Sequence, residues 1–228
     1  MDWLLMLGVA LFLGVRHSLD PDHVVAVSTL VSEERRLWPA AWLGFIWGIG
    51  HIIPIALVGL PLIIFHLEIP LVFESFVDTG VGILLILLGG TTLWKLMKKR
   101  VHYDVHSHDE TIHAHFHRPG HRHPTLKLER RQWITFGFGL VHGLAGSGAV
   151  AVLAMQASPS IEMAISWLLV FGLGTVLGMF AMTLFIAAPA LTMVAKRNTI
   201  RFRIQGIAGF ISLFFGSYML WEIWSELL

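Results

Sequence analysis

Long apolar runs separated by short polar breaks divide the chain into six predicted helical spans, at about 3–31, 38–65, 76–97, 132–155, 163–190 and 203–224. Apolar stretches of about 20 residues suit a helix that crosses a bilayer. Backbone groups in hydrocarbon must be satisfied internally, which leaves helices or a closed barrel, and runs this long exclude the barrel. The predicted fold class is therefore all-α, a polytopic membrane protein. The first run follows Met1-Asp2 and has no small-residue cleavage site, so it is read as a span rather than a leader. Spans two and five hold Pro and Gly, so tilts or breaks are expected there.

The first span is interrupted by Arg16-His17-Ser18-Leu19-Asp20-Pro21-Asp22-His23. An Asp or Arg at the centre of a membrane helix costs roughly 2.5–3.5 kcal/mol on insertion scales. Several together need a counter-charge, and a divalent cation suits imidazole and carboxylate at once. On an ideal helix His17, Asp20 and His23 share one face, and Asp22 points elsewhere. Pro21 cannot donate to the carbonyl of residue 17, so a kink is expected that swings Asp22 round.

Composition agrees. Of 228 residues, 55% are hydrophobic and 14% charged, against about a quarter charged in soluble domains. There is no cysteine, which excludes disulfides, iron–sulfur clusters and thiolate metal sites. Net charge is only +1, but its distribution is informative. The segments after spans one, three and five carry fifteen of the sixteen Lys and Arg, those after two, four and six carry none, and Arg16 is the remainder. Basic loops stay cytoplasmic. Both termini are thus expected outside and the 98–131 loop inside.

The halves resemble one another. Gly14-Val15-Arg16-His17 aligns with Gly139-Leu140-Val141-His142, Gly48-Ile49-Gly50-His51 with Gly172-Leu173-Gly174-Thr175, and Gly82, Gly89 and Leu93-Trp94 with Gly209, Gly216 and Leu220-Trp221. Three spans per copy is an odd number, so the second copy must be inverted. Inverted repeats mark transporters with a midplane site between the copies. The expected organisation is repeat one at 1–97, a loop at 98–131 and repeat two at 132–228.

The candidate metal ligands are His17, Asp20, Asp22, His23, His51 and His142. His51 lies mid-span with Gly44, Gly48 and Gly50 around it, small residues that let helices approach closely. His142 holds the repeat position of His17 without neighbouring acids, as a fourth ligand or a gate. Ser147 and Thr175 are supporting hydrogen-bond candidates, or simply helix-satisfied hydroxyls, and Arg16 a snorkelling counter-charge. A nitrogen–oxygen donor set without sulfur suits Ni²⁺ or Co²⁺, and Zn²⁺ acceptably. In the loop, His102, His106, His108, His113, His115, His117, His121 and His123 form a second, looser object. It is expected to be unstructured and to trap or sense metal in the cytosol. Trp94, Trp133, Trp221 and Trp224 read as interfacial belt residues.

The span-one motif resembles the nickel/cobalt transporter (NiCoT) family of single-chain permeases, whose signature is His-x4-Asp-His in a membrane helix, often after Arg. The Leu43–His51 segment is similar to that family's second motif, Leu-Gly-Phe followed by Gly-His. The larger permeases have eight spans and an acidic later motif. Here that region is His142-Gly143-Leu144-Ala145-Gly146-Ser147-Gly148, which resembles the shorter, urease-accessory-like branch. The resemblance implies a permease of a prokaryotic cell membrane moving Ni²⁺, and Co²⁺ as a second cargo, inward. Metal would be substrate rather than cofactor, with membrane lipids and a cytoplasmic metallochaperone as further partners and no nucleic acid. Efflux through the same site is the alternative. An intramembrane metalloprotease lacks the His-Glu-x-x-His pattern it needs, and a haem protein would set two aspartates beside the iron.

Overall fold

The computed structural model describes residues 3–32, 34, 36–67, 71–99, 105–108, 111–114, 128–145, 149–150, 153–154, 156, 158–194 and 198–227. Among them run helices α1 (Trp3–His17), α2 (Pro21–Ser32), α3 (Leu37–Phe65), α4 (Leu71–Lys99), α5 (Leu128–Leu144), α6 (Ile161–Val194) and α7 (Asn198–Leu227). Four stretches are long and apolar enough to cross a membrane: Leu37–Phe65, Ser75–Lys98, Ile161–Ala188 and Phe202–Ser225. The pair α1 and α2 passes the same test together, bent by 55° at the break. The chain is a multi-pass membrane protein. Of the expected fourth span, 132–155, the described residues hold α5, which ends at Leu144, and further helical residues at 149–150 and 153–154. Gly143 lies in the last turn of α5, where glycine disfavours helix continuation by about 1 kcal/mol.

The break in span one follows from Pro21. Leu19 N–H donates to the Arg16 carbonyl at 2.9 Å and Asp20 N–H to that of His17 at 3.0 Å, tightening the last turn of α1. Pro21 then opens α2, where its missing N–H costs nothing, and Val24 N–H donates to Asp20 O at 3.0 Å. α3 keeps Pro54 and Pro61 inside it and ends at His66, which takes the left-handed conformation at φ 51°.

α3 packs against α5 and α6, α1 against α6, and α4 against α7. Glycines make these approaches possible. A Cβ on Gly14 would strike the Phe171 carbonyl, and one on Gly139 the Trp47 carbonyl. One on Gly50 would meet Phe136 O, and one on Gly174 would meet Leu11 O. Gly82 lies against Gly216, and Gly89 against Gly209. The outward face is apolar, with Leu4, Phe12, Leu57, Phe76 and Phe185 exposed. Large apolar side chains exposed in this number suit a lipid-facing surface. Trp94, Trp133, Trp221 and Trp224 are also exposed, as belt residues would be.

At its polar end α2 is tied to the second half of the chain. Arg131 Nη1 pairs with Glu34 Oε1 at 2.5 Å, and Arg131 Nη2 donates to the Leu30 carbonyl at 3.3 Å. Gln205 Nε2 donates to Ser32 O at 2.8 Å, and Thr29 Oγ1 to Ala208 O at 3.2 Å. In the 98–131 loop, Val105–His108 and Thr111–Ala114 pair as an antiparallel hairpin, which the sequence reading did not anticipate. His106 is the register partner of His113. His102, His115, His117, His121 and His123 lie outside the described residues.

Candidate metal-transport site

The break between α1 and α2 assembles the site. His17 is the last residue of α1, and Asp22 and His23 belong to the first turn of α2. His51 comes from the middle of α3, and His142 from near the end of α5. His23, His51 and His142 are 1%, 0% and 3% exposed, burial that imidazoles rarely reach without partners. The cluster sits between two apolar clusters. Phe171 of one lies 5.5 Å from the His17 ring, and Trp47 of the other stacks on His23 at 6.1 Å.

Carboxylates only accept, so each His–Asp contact assigns a ring proton. His17 Nδ1–H donates to Asp20 Oδ2 at 2.8 Å, which leaves the Nε2 lone pair facing His51 Nε2 at 3.1 Å. His23 Nδ1–H donates to Asp22 Oδ1 at 2.9 Å, and His142 Nε2–H to Asp22 Oδ2 at 2.8 Å. His23 backbone N–H also donates to Asp22 Oδ1, at 2.9 Å. Among the described residues, two buried ring nitrogens have no hydrogen-bond partner, His23 Nε2 and His51 Nδ1, and neither does Trp47 Nε1. An orphaned buried polar group costs about 1–3 kcal/mol. Such a group persists where something else binds it. Among the described residues, two groups of ligand atoms each lie within 4.8 Å of one another: His17, His23 and His51, and Asp22, His23 and His142.

Five of the six candidate ligands therefore converge. Asp20 stands apart, holding His17 from behind, with its side chain 37% exposed. The kink turns Asp22 inward in its place. Thr175 is buried, but its Oγ1 donates to the Phe171 carbonyl of its own helix at 3.0 Å, so it is helix-satisfied. Arg16 is exposed, and Ser147 lies outside the described residues. Trp47 and Phe171 were not singled out from the sequence. Trp47 precedes His51 by four residues, so one helix face carries both.

The family described as high-affinity nickel-transport protein, NicO, matches residues 3–220. This chain belongs to the NicO family. It is 33% identical over 222 residues to the urease accessory protein UreH of Bacillus sp. (strain TB-90), covering 97% of this chain and 93% of that protein. It is 27% identical over 224 residues to the Arabidopsis thaliana chloroplast protein FOR GROWTH AND FERTILITY 2, and 24% over 227 residues to FOR GROWTH AND FERTILITY 1. The match covers 90% and 94% of this chain but 56% and 58% of those two proteins. No solved structure matches the chain. NicO is a transporter family, and this member is a transporter rather than an enzyme. Its metal is cargo.

The carboxylate behind His17 fixes which nitrogen that ring offers. Such outer partners are typically worth 10–100-fold in metal affinity. Asp20→Asn is therefore expected to raise the KM for nickel uptake about tenfold with Vmax within about twofold. Initial-rate ⁶³Ni uptake checks this, and an unchanged KM would remove the orienting role.

Proposed function

We propose that this chain imports Ni²⁺, with Co²⁺ as a second cargo, across the cytoplasmic membrane of a prokaryote. The ion is dehydrated by His17, Asp22, His23, His51 and His142 near mid-membrane. The observation that carries this reading is the convergence of buried imidazoles from three separate helices, with His23 Nε2 and His51 Nδ1 unpartnered. These five side chains offer nitrogen and oxygen and no sulfur, a donor set that suits Ni²⁺ and Co²⁺.

The architecture that goes with it is six spans in two inverted three-helix repeats, 1–97 and 132–228. The glycine contacts support this by their reciprocity. Gly14 meets Phe171 as Gly139 meets Trp47, and Gly50 meets Phe136 as Gly174 meets Leu11. Each contact maps onto its partner when the aligned repeat positions are exchanged. Gly82 against Gly216 exchanges with Gly209 against Gly89, and that pairing runs antiparallel, as an axis in the membrane plane requires. Rocking one repeat against the other would then alternate access. The ties of Arg131 and Gln205 to the end of α2 would close the cytoplasmic side in this arrangement. Both termini lie outside and the His-rich loop inside, where it buffers arriving metal and offers a landing point for a metallochaperone.

An inside-negative potential favours entry of a dication by about 4.6 kcal/mol per 100 mV, twice the single-charge value. Potential alone can then sustain concentrative import. In proteoliposomes, ⁶³Ni is expected to accumulate with an inside-negative potassium diffusion potential and to stop accumulating when valinomycin is added without a gradient. Comparing nickel, cobalt, zinc and manganese in cells expressing the chain tests the reading as a whole. Lowered cell nickel on expression would replace import with efflux.

A further inference from the structure

The two groups of ligands share one residue and differ in origin. His17, His23 and His51 all belong to residues 1–97. Asp22, His23 and His142 draw on both halves, because His142 arrives on α5. The His23 ring lies between them. Its Nδ1 is turned to Asp22, which also holds His142, while its Nε2 has no hydrogen-bond partner. The ring centroids of His17, His51 and His142 stand 4.8, 5.0 and 4.4 Å from that of His23. His51 and His142 are 6.1 Å apart.

We propose that these are two successive ion positions rather than one five-ligand centre, and that His23 hands the cation from one to the other. The proposal rests on the transport reading above and adds a division of labour to it. The all-imidazole position takes its ligands from α1, α2 and α3 and needs no residue of α5, so it does not depend on the docking of α5. The mixed position, with one carboxylate, exists only while α5 is docked against α3. Movement of α5 relative to α3 makes and breaks it. In the present arrangement it is latched shut by the hydrogen bonds from His142 and His23 to Asp22. Two dications cannot occupy both positions, because they would share one imidazole and stand within a few ångströms of each other. Occupancy is one ion per chain, alternating.

This differs from a single centre in what each histidine contributes. Equilibrium ⁶³Ni binding to the purified chain, nickel X-ray absorption and ⁶³Ni uptake are compared for wild type, His51→Ala, His142→Ala and the double variant. The expected result is one ion per wild-type chain. His142→Ala keeps binding within about threefold and shows only imidazole and water ligation, while uptake falls at least tenfold. His51→Ala also keeps one ion, now with a carboxylate in its shell. The double variant binds at least a hundredfold more weakly than either single. Variants are compared only if they elute as wild type does, and His142→Gln, of similar volume, replaces an alanine variant that does not. Either single variant losing binding as fully as the double would overturn the two-position arrangement in favour of one centre, with the transport reading intact. So would wild-type uptake in His142→Ala. A wild-type chain that binds no nickel would overturn both.

Discussion

His23→Ala is expected to abolish nickel uptake and equilibrium nickel binding together, by more than about a hundredfold each. The ring belongs to both ligand groups, and no other residue does. Losing an outer partner of a metal ligand already costs 10–100-fold, and here the ligand itself goes, from a site that is 1% exposed and offers water little room to replace it. Asp22 would keep its bond to His142, so one buried charge would not be stranded. The chain should therefore still fold. Size-exclusion behaviour in detergent, ⁶³Ni binding and ⁶³Ni uptake check the three statements separately. A variant with wild-type uptake would remove this cluster from the transport path.

Gly143→Ala and Gly137→Ala, two glycines of the same helix, are expected to behave in opposite ways. A Cβ on Gly143 would strike the backbone of His51, at 2.7 Å from its carbonyl carbon and 2.8 Å from its Cα. No rotamer relieves a clash with backbone. α5 must move away from α3, and it takes His142, one residue earlier, with it. Overpacking of this kind typically costs 1–3 kcal/mol and occasionally more. The expected result is a lowered melting temperature and uptake reduced at least tenfold. A Cβ on Gly137 meets nothing within 4 Å. Alanine there gains about 1 kcal/mol of helix propensity, so uptake should be unchanged and the melting temperature equal or higher. Equal behaviour of the two variants would mean that α5 is not held at this distance from α3.

Much of the site was legible because the membrane makes polarity rare. In a chain this apolar, His17, Asp22, His23, His51 and His142 stand out by cost alone. Asp20 and Asp22 could not be separated in that way. Helical spacing favours Asp20 as the residue in line with the two histidines, whereas the break at Pro21 restarts the helix and brings Asp22 in. The kink itself was foreseeable from proline chemistry; its 55° angle was not. Trp47 escaped notice because a tryptophan in an apolar run carries no signal of its own. Only its stacking on His23 gives it a place. The loop hairpin escaped because four-residue strands rich in histidine lie outside ordinary strand patterns.

What the sequence by itself determined is the class of the molecule and its chemistry: helices in lipid, a break at Pro21, a donor set of nitrogen and oxygen without sulfur. These follow from local physics, the cost of polarity in hydrocarbon and the missing N–H of proline. What only the tertiary structure decided is which donors meet. His51 and His142 are 91 residues apart, and their rings come to 6.1 Å only because Gly50, Gly139 and Gly143 let α3 and α5 close to backbone contact. Distances across helix interfaces depend on packing between segments remote in sequence, and no local pattern encodes them.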